Sequence, residues 1–225
     1  MTPLTRAGSD PVVFADRRDA GRRLAAAVVA AAVDDPVVIG LPRGGVPVAA
    51  EVAARLGAPL EVIVVRKLGL PRQPEVAMGA IGEAGVRFID QMLVARAGVS
   101  SIELAAVERR ERQNLERRVA RFRGHRGPPD LTAHTALIVD DGIATGATAA
   151  AACEVARRFG AKRVILAAPV GSPDTIRQIT GADEVICPVQ PVRLDAVGLY
   201  YRDFTQTEDD EVARLLDAAR ARNSS

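Results

Sequence analysis

Sulfur, histidine, lysine and aromatic side chains are all scarce in this sequence. Its two cysteines, Cys153 and Cys187, exclude a disulfide-stapled scaffold and a cysteine-based zinc site. Its two histidines, His125 and His134, do not share a helix-face spacing, which excludes a histidine-rich metal centre. Long apolar runs are missing. The longest, Leu24 to Val33 and Val164 to Val170, are too short to span a bilayer. Asp10, Asp16 and Asp19 stand among arginines ahead of any apolar run, unlike a secretory signal. An excess of one charge is missing too. With 30 basic and 28 acidic residues the formal net charge is +2, which gives no case for a nucleic-acid or membrane partner. The expectation is a cytoplasmic protein. Among the basic residues only Lys67 and Lys162 are lysines, a bias that reads as genome composition and singles out each lysine.

What is present suits a folded core. Hydrophobic residues make up 48% and charged ones 26% of 225 residues, consistent with one domain over 1–225. Asp16 is placed to cap a helix running to about Val33, and Pro36 breaks it. Val37 to Leu41 reads as a buried strand, followed by the turn Pro42-Arg43-Gly44-Gly45, a helix ending at Gly57 and a strand over Leu60 to Val65. Glycines and prolines between 68 and 90 predict a mobile loop, Leu68 to Ala80, and a short hairpin around Gly82-Glu83-Ala84-Gly85. Ser100 or Ser101 caps a long helix to about Arg123, with an apolar stripe of Leu104, Val107, Leu115, Val119 and Phe122. Strands at Ala136 to Val139, Lys162 to Ala168 and Asp183 to Ile186 then alternate with helices, and Asp209 to Ala221 is a last amphipathic helix. This alternation predicts an α/β fold with a parallel sheet flanked by helices. Ligands of such sheets lie beyond the carboxyl ends of the strands, so the turns after Leu41, Val65 and Val139 hold the interest.

The most specific segment is Val139-Asp140-Asp141-Gly142-Ile143-Ala144-Thr145-Gly146-Ala147-Thr148. A buried-type strand delivers two adjacent carboxylates, and a small-residue loop then opens a helix. Gly142 and Gly146 allow a sharp turn and close approach to a ligand. The free N–H groups of the helix start bind phosphate, and Thr145 and Thr148 can add hydroxyls. Two carboxylates beside a phosphate site are unfavourable unless they hold donors or a cation. Sugar hydroxyls or a hydrated Mg²⁺ satisfy them, so a phosphosugar accounts for the whole segment. No P-loop and no Gly-x-Gly-x-x-Gly is present.

This segment resembles the phosphoribosyl pyrophosphate (PRPP) motif of type I phosphoribosyltransferases. The resemblance implies that Asp140 and Asp141 hold the ribose hydroxyls and Mg²⁺, and that Gly142 and the run Ala144, Thr145, Gly146, Ala147, Thr148 wrap the 5-phosphate. It gives Arg43, Gly44 and Gly45 the pyrophosphate, in a loop that in the family often has a non-proline cis peptide, here Pro42–Arg43. Arg66 and Lys67, two cations at a strand end, are further candidates for pyrophosphate, or else a solvated strand terminus. Leu68 to Ala80 becomes the candidate for a loop closing over the reaction centre. The catalytic set implied is Arg43, Lys67, Asp140 and Asp141.

The family grips its acceptor with a hood, here about 188–206. Tyr200, Tyr201 and Phe204, in a chain with two tyrosines, five phenylalanines and no tryptophan, form either a stacking wall for a planar acceptor or a patch packing the last helix. Ala144 stands where 6-oxopurine enzymes of the family carry an acidic residue, which leaves adenine-like, orotate-like and non-purine acceptors open. A helical insertion at about 90–125 exceeds a minimal member. The overall pattern is similar to bacterial members without a settled substrate. The implied partners are Mg-PRPP and a small-molecule acceptor; a homodimer is compatible, although no residue demands one. A PRPP-binding regulator with little catalysis is the second reading, and only the arginine-rich helix from Arg109 to Arg126 would serve it.

Overall fold

A computed structural model describes residues 14–223; Asp10 lies outside them. The elements run α1 (Arg17–Ala30), β1 (Pro36–Gly40), α2 (Gly45–Leu56), β2 (Leu60–Val62), β3 (Val65–Leu70), β4 (Gln73–Gly82), β5 (Arg87–Ile89), α3 (Gln91–Arg96), α4 (Ser101–Arg123), β6 (Thr135–Val139), α5 (Ala147–Arg158), β7 (Arg163–Ala167), α6 (Pro173–Gln178), β8 (Glu184–Ile186), a 3₁₀ turn (Val197–Tyr200) and α7 (Asp209–Asn223).

Five strands pair in parallel in the order β2-β1-β6-β7-β8. Alternate residues of each strand sort onto two faces. Val38, Leu137, Val139, Ile165 and Ala167 join a core with Leu24 and Val28 of α1, Val52 of α2 and Leu216 of α7. Val37, Ile39, Ala136, Ile138, Val164 and Leu166 join a second core with Ala152, Val155 and Ala156 of α5. Burial on both faces explains why the strands read as unbroken apolar runs, and the expected parallel sheet flanked by helices is present. Asp16 caps α1 by accepting from the Asp19 N–H at 2.7 Å. Ser100 and Glu103 form a reciprocal capping box at the start of α4.

Two expectations need correction. The strand predicted over Leu60 to Val65 breaks at Ile63–Val64, and a separate antiparallel sheet, β3-β4-β5, begins there. The segment Leu68 to Ala80, expected as a loop, is instead mostly strand. Its glycines serve close cross-strand approach: a Cβ on Gly69 would lie 2.3 Å from the Pro74 carbonyl oxygen. The ladder shifts register between Leu68 and Leu70. The turn after Gly82 is where it was expected, with Ala84 and Gly85 at positive φ.

The base of this second sheet is clamped. Arg123, buried at the end of α4, donates to both carboxylate oxygens of buried Glu83 and, at 2.7 Å, to the Val62 carbonyl. Glu83 also accepts from the Val64 N–H at 2.8 Å. The 3₁₀ turn is tied to the start of the chain's described part. The Phe14 N–H donates to the Tyr200 carbonyl at 2.7 Å, and the Arg202 N–H to the Phe14 carbonyl at 2.8 Å.

Candidate active site

β6 ends at Val139 in the middle of the sheet, so Asp140 and Asp141 emerge at its carboxyl edge. The loop is fixed from below. The Asp140 N–H donates to the Ala167 carbonyl at 3.2 Å and the Ile143 N–H to the Val170 carbonyl at 2.8 Å. The Thr175 hydroxyl donates to the Ala144 carbonyl at 3.0 Å. Gly146, at φ +75°, turns the chain into α5. The first turn of α5 holds no acidic side chain, so its N–H groups and dipole face the loop without a built-in anion. Asp140, Asp141, Gly142, Ile143, Ala144, Thr145, Gly146 and Thr148 line one cavity of about 230 Å³, closed on the hood side by Val197. Ala147 is not among its lining residues. A Cβ on Gly142 would lie 2.5 Å from Val197 Cγ1, so glycine there is what lets the 3₁₀ turn sit on the loop.

The turn after β1 meets the same carboxylates. Its Pro42–Arg43 peptide is cis, as the motif suggested. A Cβ on Gly44 would lie 2.0 Å from Asp141 Oδ2, and one on Gly45 would lie 2.6 Å from the Val139 carbonyl oxygen. The glycine pair therefore brings two distant turns into contact, with backbone rather than side chain between them.

Electrostatics mark the pair. Burial, reinforced by the neighbouring charge of Asp141, pushes Asp140 up to about 8. Its Oδ1 accepts from the Asp141 N–H at 2.9 Å. Burial also raises Asp141, against the pull of Arg17. Arg17 went unnoticed in the sequence. From the first turn of α1 its Nε donates to Asp141 Oδ2 at 2.9 Å and an Nη to the Thr205 carbonyl at 2.7 Å. Its guanidinium carbon stands 4.0 Å from the Phe204 ring centroid. No spacing signal announces this contact; the neighbouring Asp16 cap was the only local feature to note.

The other expected residues lie elsewhere. Arg43 turns its side chain toward the start of α7, 3.6 Å from Glu208 and 3.7 Å from Asp209. Arg66, on β3, forms two bonds to Glu111 of α4 at 3.0 and 2.8 Å. Lys67 reaches the Glu75 carbonyl at 3.1 Å across the hairpin. None of the three lines the cavity around Asp140. Nor do Tyr200, Tyr201 or Phe204. Tyr200 and Tyr201 are buried. Tyr201 sits between Phe14 and Phe204, with ring centroids at 5.2 and 4.9 Å, and its hydroxyl donates to the Asp141 carbonyl at 2.6 Å. Tyr200 and Tyr201 pack in a cluster with Phe14, Ala20 and Val170 that includes no residue of α7, so the patch does not pack the last helix. Among the described residues no three acidic, histidine or cysteine side chains converge as a metal site. Asp140 and Asp141 offer a pair of oxygen donors, the hard chemistry that suits Mg²⁺ with water and substrate completing its shell.

The family profile of the phosphoribosyl transferase domain matches residues 16–202. The chain belongs to that family. The matched span takes in Arg17, the Pro42–Gly45 turn, the Asp140–Thr148 segment and Tyr201, and stops short of Phe204 and α7. Within the family, the chain is 54% identical over 208 residues to Mycobacterium tuberculosis proteins of strains CDC 1551 and H37Rv, whose names assign them provisionally as phosphoribosyl transferases. The alignment covers 92% of this chain and 47% of each relative, so the chain spans about half the length of the curated relatives it matches. The crystal structure of TT1426 from Thermus thermophilus is similar over 91% of this chain and 97% of its own, with a TM-score of 0.75 and 40% identity. No helix among the described residues is long and apolar enough to cross a membrane.

Proposed function

We propose that this phosphoribosyl transferase domain binds Mg-PRPP and transfers its phosphoribosyl group to a nitrogenous acceptor, releasing pyrophosphate. The observation that carries the reading is the meeting of Gly44 and Gly45 with Asp141 and Asp140 beside the open start of α5. This arrangement supports a reading in which a phosphate end, a pair of hydroxyl acceptors and a glycine turn for a second phosphate group follow the order of groups in PRPP.

In this reading the loop from Ala144 to Thr148 holds the 5-phosphate through backbone N–H groups and the two threonine hydroxyls. Asp140 and Asp141 accept from the ribose hydroxyls, and their charge favours an oxocarbenium-like sugar as the bond to pyrophosphate breaks. Arg17 keeps Asp141 in a single orientation, and Tyr201 holds its carbonyl. The backbone of the turn at Gly44 receives the pyrophosphate, with Arg43 and Lys67 contributing charge from further out; the Gly45 N–H is already bound to the Leu41 carbonyl at 3.0 Å. Asp140 and Asp141 would hold Mg²⁺, which would supply neutralisation of phosphate charge. The protein's share is positioning and charge stabilisation. Val197, the hood residue on the cavity, faces the acceptor side.

Calorimetric titration of Mg-PRPP with a panel of free bases, followed by a pyrophosphate-release assay, tests the proposal. Binding with base-dependent release is expected. Absence of PRPP binding would overturn it, and binding without release for any base would favour a PRPP-responsive regulator.

A further inference from the structure

A second cavity, of about 390 Å³, is lined by Arg66, Asn114, Arg117, Arg118, Arg121 and Asp209. It shares no lining residue with the cavity around Asp140. Its walls come from β3, one face of α4 and the start of α7; positions 114, 117, 118 and 121 fall on a single helical face. Three of the arginines have partners: Arg66 on Glu111, Arg117 on Asn114 and Arg121 on Asp210. Arg118 differs. Among the described residues no hydrogen bond or ion pair reaches it. Burial, with the positive charges of Arg66 and Arg43, pushes its pKa down, while Asp209 and Glu111 oppose this. Asp209 Oδ1 is itself buried without a hydrogen-bond partner.

A half-buried guanidinium held among other guanidiniums is unfavourable unless an anion joins them. We infer that this cavity is a second anion site, distinct from the one around Asp140, which takes an inorganic polyphosphate. No aromatic or aliphatic side chain lines it, so nothing there stacks a base or packs a sugar. Recognition rests on guanidinium forks facing phosphate oxygens. Arg43 links the site to the turn after β1: it stands 3.7 Å from Asp209, and its charge bears on Arg118. Occupancy would therefore alter the field at the Pro42–Gly45 turn.

Titration of tripolyphosphate into the full chain, with and without saturating Mg-PRPP, tests the inference. One saturable site is expected at saturating Mg-PRPP, and a second, at the turn after β1, in its absence; the first is retained in Asp140→Asn/Asp141→Asn. Arg118→Met should weaken it by about tenfold or more, and Arg117→Gln by a smaller factor, with PRPP affinity unchanged in each. Thermal melting of both variants establishes that they are folded. Unchanged tripolyphosphate affinity in both, or its displacement by PRPP, would overturn the second site. Because Arg118→Met and Arg117→Gln report on this cavity whether or not PRPP binds, failure of PRPP to bind leaves this test standing.

Discussion

Arg17 and Asp141, 124 residues apart in sequence, form a largely enclosed ion pair with side-chain exposures of 11% and 17%. Removing one partner of such a pair strands the other charge. Arg17→Met should therefore cost about 2–4 kcal/mol of stability at pH 8. The loss should shrink at pH 5, where the freed carboxyl takes up a proton instead. Urea unfolding at the two pH values checks this, and PRPP affinity should fall with the stability.

Asp140 gives a second pH signature. Its folded-state pKa of about 8 lies above its ordinary value of 3.8. Between those values the folded chain binds more protons than the unfolded one, so stability falls as pH rises across the window. Asp140→Asn removes the penalty. We expect its melting temperature to exceed the parent's by about 2–4 °C at pH 8 and to match it near pH 4, while PRPP binding is lost.

The contact of Gly44 with Asp141 predicts a backbone effect. Gly44→Ala should destabilise by about 1–3 kcal/mol and weaken PRPP and pyrophosphate alike. Gly127, where an added Cβ meets nothing within 4 Å, is the control, and Gly127→Ala should stay within about 0.5 kcal/mol of the parent. Chemical denaturation curves separate the two.

Tyr201→Phe discriminates packing from acceptor recognition. The ring stays between Phe14 and Phe204, and only the bond to the Asp141 carbonyl goes. A stability loss of about 1 kcal/mol is expected, with acceptor KM unchanged. A large rise in acceptor KM would return Tyr201 to the acceptor site.

The parallel sheet was legible because its chemistry is local. Val37 to Leu41, between Pro36 and Pro42, and Ala136 to Val139 are buried on both faces, and runs so short and apolar suit a strand. The Asp140–Thr148 segment was legible for the same reason, since its loop, carboxylates and helix start are contiguous. What failed was long-range. Gly69 looked like loop punctuation because its function, closeness to Pro74, exists only once the hairpin has formed. Arg17 was invisible because its partner is defined by the packing of α1, and the direction of the Arg43 side chain depends on α7. Tyr201 could be noticed by its rarity, but the carbonyl that fixes it could not.

The clamp between Arg123 and Glu83 divides the second sheet into regions with different exchange clocks. Ile63 and Val64 are buried where the two sheets part, and the Val64 amide is bound to Glu83. Its hydrogen should exchange only when the whole domain opens. Beyond the register shift at Leu68–Leu70, the hairpin tip has exposed residues from Pro71 to Val76, and its amides should exchange through local opening. The arm is thus anchored at its root and pliable at its end, so its opening belongs to a few residues at the tip and not to the sheet as a body.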